Sequence, residues 1–480
     1  MRERSIRVLA TLPDNHVPCH EMMDDSIDIS ELSVTNAVSA SLAGDHLRAV
    51  WAIRWLLQHD EETYARLFSK HPEIEVRLDF LRAQASADER NHEIFRECSI
   101  LGRAGAKLEP HQRKLIETIL TNHWEAWQRE PTPHPRLADI FSNSVDISVK
   151  KMNAIKVAAT FPKHVHCNPL YIESDFFHHF HASAAAAGLN AVRFAADRIF
   201  YDPDRLQMAQ RPTRPIDQEI SEFTAFLEEE RPDLVVGDGN YLPTVNTLQP
   251  HYWMEQKKRL GFKLLTVVGD CYDDRTSTMP LWKDCSDAVL SFHPNSLQLM
   301  YVNNPMLSPS MPFDEACFQS SASKDLGLVA LGAATRNRYT WLAPVSEAGV
   351  PVYITLHDKS LLSAHEREEY CSLLGRSKLT FNNGYVSKNA NILTGRFFEA
   401  LLSKSLVLQE IGSPVDAYFR PFIHYVPVAN VDQLISFARF FIEAEDWRGR
   451  IVDAALDYWR DHYASTKMWH SICARLFNAA

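Results

Sequence analysis

No Gly-x-Gly-x-x-Gly opens a helix after either of the strand-like runs that begin at Ile155 and Leu326, so a Rossmann oxidoreductase is excluded at the outset. No Cys-x-x-Cys pair occurs; the eight cysteines are scattered, which predicts reduced thiols in a cytosol rather than a disulfide framework. No segment approaches ~18 uninterrupted apolar residues, so no transmembrane helix is expected, although peripheral membrane contact stays open. The first residues are basic, but only a short apolar run follows before Pro13, and this does not read as a secretory leader. Basic excess is also missing. The net charge of −11 works against broad nucleic-acid binding, which depends on releasing counterions from phosphate.

What is there is an ordinary globular composition, 45% hydrophobic and 23% charged, in a chain of 480 residues, too long for one core. Three zones of texture divide it. Residues 1–150 read as an α-helical accessory region, with apolar residues at helical spacing near 49–57, 75–81 and 115–127 and almost no glycine from residue 30 onward. Trp51, Trp55, Trp124 and Trp127 fall on those stripes and are most simply helix core, with partner docking as the other reading.

From Ile155 strands and helices alternate. Strand-like runs fall at 155–161, 191–196, 233–237, 262–268 and 288–292, separated by helical patterns at 175–187, 216–230 and 247–260. A second alternating zone follows, with strands at 326–331, 350–355, 378–381 and 406–409, and two closing helices at 431–445 and 447–475. Parallel neighbours need crossovers of this length. The fold class is therefore α/β: two Rossmann-like doubly wound domains, an acceptor-side one at 151–310 and a donor-binding one at 311–480, preceded by the helical region. The proline-rich stretch 303–313 reads as the linker between them. A cleft then lies at the carboxyl ends of both sheets.

Three segments carry a family resemblance: Ser377 to Asn382, Thr394 to Leu401 with its Gly395-Arg396-x-x-Glu399 helix start, and Leu406 to Leu408. Together they resemble the group 1-like glycosyltransferase domain of spore-maturation-type proteins, of the GT-B kind. Leu331 to Arg338 resembles that family's opening strand and loop, and Pro312 to Asp314 with Phe318 its interdomain crossing. The similarity covers about 326–475, and residues 151–310 match in pattern only.

The resemblance implies transfer of a sugar from a nucleoside-diphosphate sugar to an acceptor hydroxyl on a glycan, protein or small molecule, with no further cofactor. It places the donor at Thr394, Gly395, Arg396, Glu399, Arg336, Arg338, Lys378 and Asn382, with Glu399 accepting from ribose hydroxyls. Physical chemistry points the same way, since a diphosphate favours a helix N-terminus beside a fixed cation. The plain alternative for Arg396 and Glu399 is a surface i, i+3 ion pair. Asp270, just beyond the strand 262–268, is the first choice for the base that deprotonates the acceptor, and Asp238 the second; a turn or cap aspartate is the other reading of each.

Two positions depart from the family. Asn391 stands where many relatives have a glutamate eight residues before the helix glutamate. Ser403-Lys404-Ser405 replaces a glycine turn, so either the turn differs or Lys404 contacts phosphate. The histidines at 164, 166 and 178–181 lack the paired spacing of a zinc site and no metal is expected, although one of 178–181 near the acceptor stays open. The second functional reading is a catalytically degenerate GT-B scaffold that binds partners through its helical N-terminal region.

Overall fold

A computed structural model describes residues 97–102, 104–129, 149–164, 173–196, 216–238, 250–268, 285–292, 304–333, 336–357, 365–387, 390–391 and 393–477. The chain divides into two units after Arg82, and all of these residues belong to the second, 83–480. The helices expected near 49–57 and 75–81 lie outside the described residues.

The described chain begins with a single 3-10 turn, Ser99–Leu101, and a long helix α1, Pro110–Arg129. Proline suits the first helical position, where the missing N–H would have no intrahelical partner. A short helix α2, Val149–Ala154, leads into β1, Lys156–Phe161. There follow α3 (Asp175–Ala186), β2 (Asn190–Ala195), α4 (Ile216–Glu230), β3 (Leu234–Asp238), α5 (Pro250–Leu260), β4 (Lys263–Val268), β5 (Ala288–Ser291) and β6 (Pro305–Leu307). The six strands form one parallel sheet in the order β2-β1-β3-β4-β5-β6. Runs such as Leu234-Val235-Val236 and Leu264-Leu265 are fully buried, as expected where helices cover both faces of a parallel sheet.

One expectation changes here. The supposed linker 303–313 begins as the edge strand β6, with Pro305 opposite Val289. At the first residue of an edge strand a proline leaves no central ladder bond unmade.

The second sheet has five parallel strands in the order β13-β12-β9-β7-β8. Its elements are β7 (Leu326–Ala333), α6 (Arg336–Glu347), β8 (Val352–His357), α7 (His365–Arg376) and β9 (Ser377–Asn382). A small antiparallel ribbon, β10 (Tyr385–Ser387) with β11 (Ala390–Asn391), precedes α8 (Gly395–Leu402). The chain continues through β12 (Leu406–Glu410), β13 (Val426–Val428), α9 (Val431–Glu443), α10 (Glu445–His462) and α11 (Ser465–Phe477).

The long helix expected at 447–475 is thus two, broken at Tyr463 and Ala464. The break lets the chain cross back. Whereas α10 packs on α8, α11 packs on α3 of the first lobe, where Trp469 Nε1 donates to Ser183 Oγ at 3.0 Å. The outgoing and returning crossings are tied together. Glu315 Oε1 accepts from the Ser465 amide at 2.9 Å and from Trp459 Nε1 at 3.3 Å, and the Phe313 amide donates to Ser465 Oγ at 2.8 Å.

Residues 97–129, assigned by sequence to the helical preface, share the core of the second lobe. Leu101, Ile116, Ile119 and Leu120 belong to the same buried cluster as Phe437, Phe440 and Phe441 of α9. Ser436 Oγ donates to the Gly102 carbonyl at 2.9 Å and accepts from the Ala104 amide at 3.1 Å. Among the described residues, no helix is long and apolar enough to cross a membrane.

Candidate active site

In an open α/β sheet the crevice opens beyond the carboxyl ends of the strands, at the point where strand order reverses. In the second sheet that point lies between β7 and β9, because the chain runs from β7 outward to β8 and then returns to the other side of β7. Gly332 near the end of β7 and Asn382 at the end of β9 flank it.

Gly332 has φ +114, a backbone setting that favours glycine, and it has a second reason to lack a side chain. A Cβ there would collide with Arg396 Nη2 and lie 2.8 Å from Arg338 Nη1. Two guanidinium groups therefore converge on one stretch of bare backbone. Burial and the charge of Arg396 draw the pKa of Arg338 down to about 10. Such crowding of like charge raises the preference of this point for an anion.

A buried amide network holds the pair. Asn382 Oδ1 accepts from Arg396 Nη1 at 3.1 Å and from Thr394 Oγ1 at 2.9 Å, while its Nδ2 donates to Gln409 Oε1 at 2.8 Å. Arg338 Nε donates to Asn383 Oδ1 at 3.0 Å, and Asn383 Nδ2 donates to Asn337 Oδ1 at 3.1 Å. These acceptors are neutral, so they orient the guanidiniums without cancelling their charge. Arg396 Nε is buried and makes no hydrogen bond. Thr394 sits at the N-cap of α8 but does not cap it; its hydroxyl turns to Asn382 instead.

Glu399 lies one turn into α8 and is buried, not at a solvated face. Its Oε2 accepts from the Tyr370 hydroxyl of α7, and its Oε1 lies 3.1 Å from where a Cβ on Gly395 would stand. Burial first, then the charge of Asp175, pushes the Glu399 carboxyl up to about 7, against the pull of the Tyr370 hydrogen bond, Arg396 and Arg367. Gly395 opens α8 and leaves room for that carboxylate.

The first lobe reaches this site through the N-terminus of α3. Arg367, in the first turn of α7, pairs with Asp175 at 3.1 Å and donates to the Glu173 carbonyl at 2.9 Å. Each of these helices follows a strand of its own sheet, so their N-termini mark the carboxyl edges, and this contact makes the two edges face one another.

Not every expected residue joins the cluster. Lys378 stands at the opposite, amino end of β9 and its ammonium donates to the Ile442 carbonyl at 3.4 Å, which removes it from the donor cleft. Arg336 is the first residue of α6, at the correct edge, and only its backbone is described. Asp238 ends β3, next to the β1–β3 reversal of the first sheet, and again only its backbone is described. Asp270 lies outside the described residues. Lys404 keeps the glycine-like turn, at φ +55, and its ammonium reaches Asp453 at 3.3 Å rather than the cleft.

Sequence reasoning missed Glu410. It ends β12, its Oε2 is buried without a hydrogen-bond partner, and burial pushes its carboxyl up to about 7. The rule that singled out Asp270, a carboxylate at the end of a parallel strand, would have found it. Tyr370, Asn383 and Gln409 carried no comparable signal.

The family model described as glycosyl transferase-like matches residues 338–474, a span that holds Arg338, Asn382, Thr394, Arg396 and Glu399. The second lobe is a glycosyl transferase-like domain. With the parallel-sheet lobe before it, the chain has two Rossmann-like lobes in series, and the match falls in the second. No curated protein matches the sequence.

Solved structures with a similar arrangement include sucrose-phosphate synthase from Thermosynechococcus elongatus, at 11% identity and a TM-score of 0.45 over 68% of this chain and 100% of that one. Anabaena HepE in complex with UDP-glucose aligns at 10% identity and a TM-score of 0.45, over 68% and 100% of the two chains. A glycosyltransferase from Rickettsia africae aligns at 9% identity and a TM-score of 0.45, over 68% and 98%. Likenesses this distant decide neither substrate nor reaction.

Proposed function

We propose that the protein transfers a sugar from a nucleoside-diphosphate sugar to an acceptor hydroxyl. One observation carries this reading: Arg338 and Arg396 converge over the bare backbone of Gly332 at the strand-order reversal, each oriented by neutral side-chain amides. A diphosphate brings the negative charge that suits two converging cations. Its oxygens meet the two guanidiniums, including the buried Arg396 Nε that makes no hydrogen bond, and the leaving diphosphate is stabilised there as negative charge grows on it.

Glu399 Oε1 faces the helix start and serves the ribose hydroxyls, while Tyr370 fixes the other oxygen. Thr394 and Gly395 let the donor approach the first turn of α8, and Arg336 adds a cation at the start of α6. The acceptor enters from the first lobe, where Asp238 or Asp270 takes its hydroxyl proton. Glycan, protein and small-molecule acceptors all fit this account, as does work in the cytoplasm.

The test is a panel of nucleotide sugars incubated with purified protein, with nucleoside diphosphate release as readout. At least one donor is turned over, and Arg396→Ala loses most of that activity. Undiminished turnover in the variant would remove the assignment, and inertness towards the whole panel would favour the degenerate scaffold.

A further inference from the structure

A second cluster, which includes neither Arg338 nor Arg396, lies where the outgoing crossing meets α3. His178 Nε2 and Asp314 Oδ2 are 3.1 Å apart, Cys317 Sγ and Asp314 Oδ2 3.1 Å, and Cys317 Sγ and His178 Nε2 3.5 Å. It is the one group of three metal-ligating side chains found among the described residues. The single 3-10 turn Glu315–Cys317 sets Asp314 and Cys317 three residues apart on one face, and α3 supplies the histidine from the other lobe.

We propose that these three side chains bind a divalent transition ion, zinc by the chemistry of the donors, with one position left for water. Metal bonds of about 2.0–2.3 Å at tetrahedral angles separate the ligand atoms by roughly 3.3–3.6 Å, so the observed triangle is within a few tenths of an ångström of the required one. The donor set of thiolate, imidazole and carboxylate selects a borderline ion over magnesium or calcium, which take oxygen ligands.

The orientation of the imidazole is a second, independent sign. Glu173 Oε2 lies 3.4 Å from His178 Nδ1. An ion held at Nε2 would leave the Nδ1 proton facing that carboxylate, the usual outer partner of a metal-bound imidazole.

On binding, the Cys317 thiol releases its proton to solvent. It exchanges its hydrogen bond to Asp314 for a metal–sulfur bond, and His178 and Asp314 supply the nitrogen and oxygen bonds. All three ligands are partly exposed, which gives the ion a path in. A filled site pins the crossing segment to the first lobe next to Glu315, where the returning chain is also tied.

The test uses the tag-free full chain, titrated with Zn2+ in competition with a chromophoric chelator, and with Co2+ followed by absorption. One ion binds per chain, and the cobalt form shows a thiolate-to-metal charge-transfer band. Cys317→Ser abolishes that band and weakens zinc binding at least a hundredfold, His178→Ala does likewise for zinc, and Glu173→Gln weakens it about 10–100-fold. Circular dichroism confirms that the variants fold. Absence of stoichiometric binding by the wild type overturns the proposal, as does equal binding by Cys317→Ser and His178→Ala. Either result leaves Asp314 as the acceptor of a hydrogen-bonded cluster. The outcome is independent of donor turnover.

Discussion

Arg396 and Arg338 meet over the α-carbon of Gly332, brought there from two different helices. Like charges held this close in a half-buried crevice favour an anion, and the proposed diphosphate site rests on that preference.

Gly332→Ala tests this geometry without touching a charge. The new methyl group meets flexible guanidinium ends, so the lobe still folds, at a strain of about 1–3 kcal/mol from the positive φ. The arginines are displaced. Nucleoside diphosphate affinity, measured by calorimetry, falls at least tenfold, and unchanged affinity would separate the arginines from the anion.

Glu410 gives stability an acid-side dependence. Its folded pKa, about 7, lies above the ordinary 4.5, so the folded state holds the proton more tightly. Its contribution is complete below pH 4.5 and is lost as pH rises through 7. Wild-type stability should therefore decline between pH 5 and pH 8 by an amount on the order of 2 kcal/mol from this group. Denaturant melts of Glu410→Gln across that range should show a smaller decline, and parallel curves for the two proteins would refute the assignment.

Lys404 occupies a left-handed turn, at φ +55, a setting that favours glycine. Lys404→Gly should raise stability by about 1 kcal/mol, because the ion pair it gives up, with exposed Asp453, is worth little. Chemical denaturation measures the difference, and a loss of stability would mean that the Asp453 contact matters more than the backbone.

The returning helix α11 depends on Trp469, fully buried against Phe180 and bonded to Ser183. Trp469→Ala should cost about 3–5 kcal/mol, read from the midpoint of thermal or denaturant unfolding. A cost below 1 kcal/mol would show that the docking of α11 on α3 is loose.

Much of this architecture was legible in the sequence. Buried runs such as Leu234-Val235-Val236, separated by helical patterns and glycine stops at Gly188, Gly261 and Gly349, fix alternating strands and helices, and all three of those glycines have positive φ. Arg396 and Glu399 were singled out because their spacing within one short helix is local information. What was not legible depended on pairing between distant segments. The edge role of β6 is set by β5, and the break at Tyr463 by the crossing to α3, neither of which leaves a periodic trace. Lys378 was misplaced because its residue type suits phosphate, whereas its position at the start of β9 puts it at the wrong end of the sheet. Tyr370 and Gln409 join the cluster only through contacts with Glu399 and Asn382 on neighbouring elements.

The most direct measurement is calorimetric titration of the full chain with a panel of nucleoside diphosphates, beside Arg396→Ala. The account predicts one-to-one binding of at least one of them, weakened roughly 10–150-fold in the variant, as the loss of a charge-assisted hydrogen bond of about 1.5–3 kcal/mol requires. Failure of every nucleoside diphosphate to bind the wild type, or equal affinity in the variant, would contradict it.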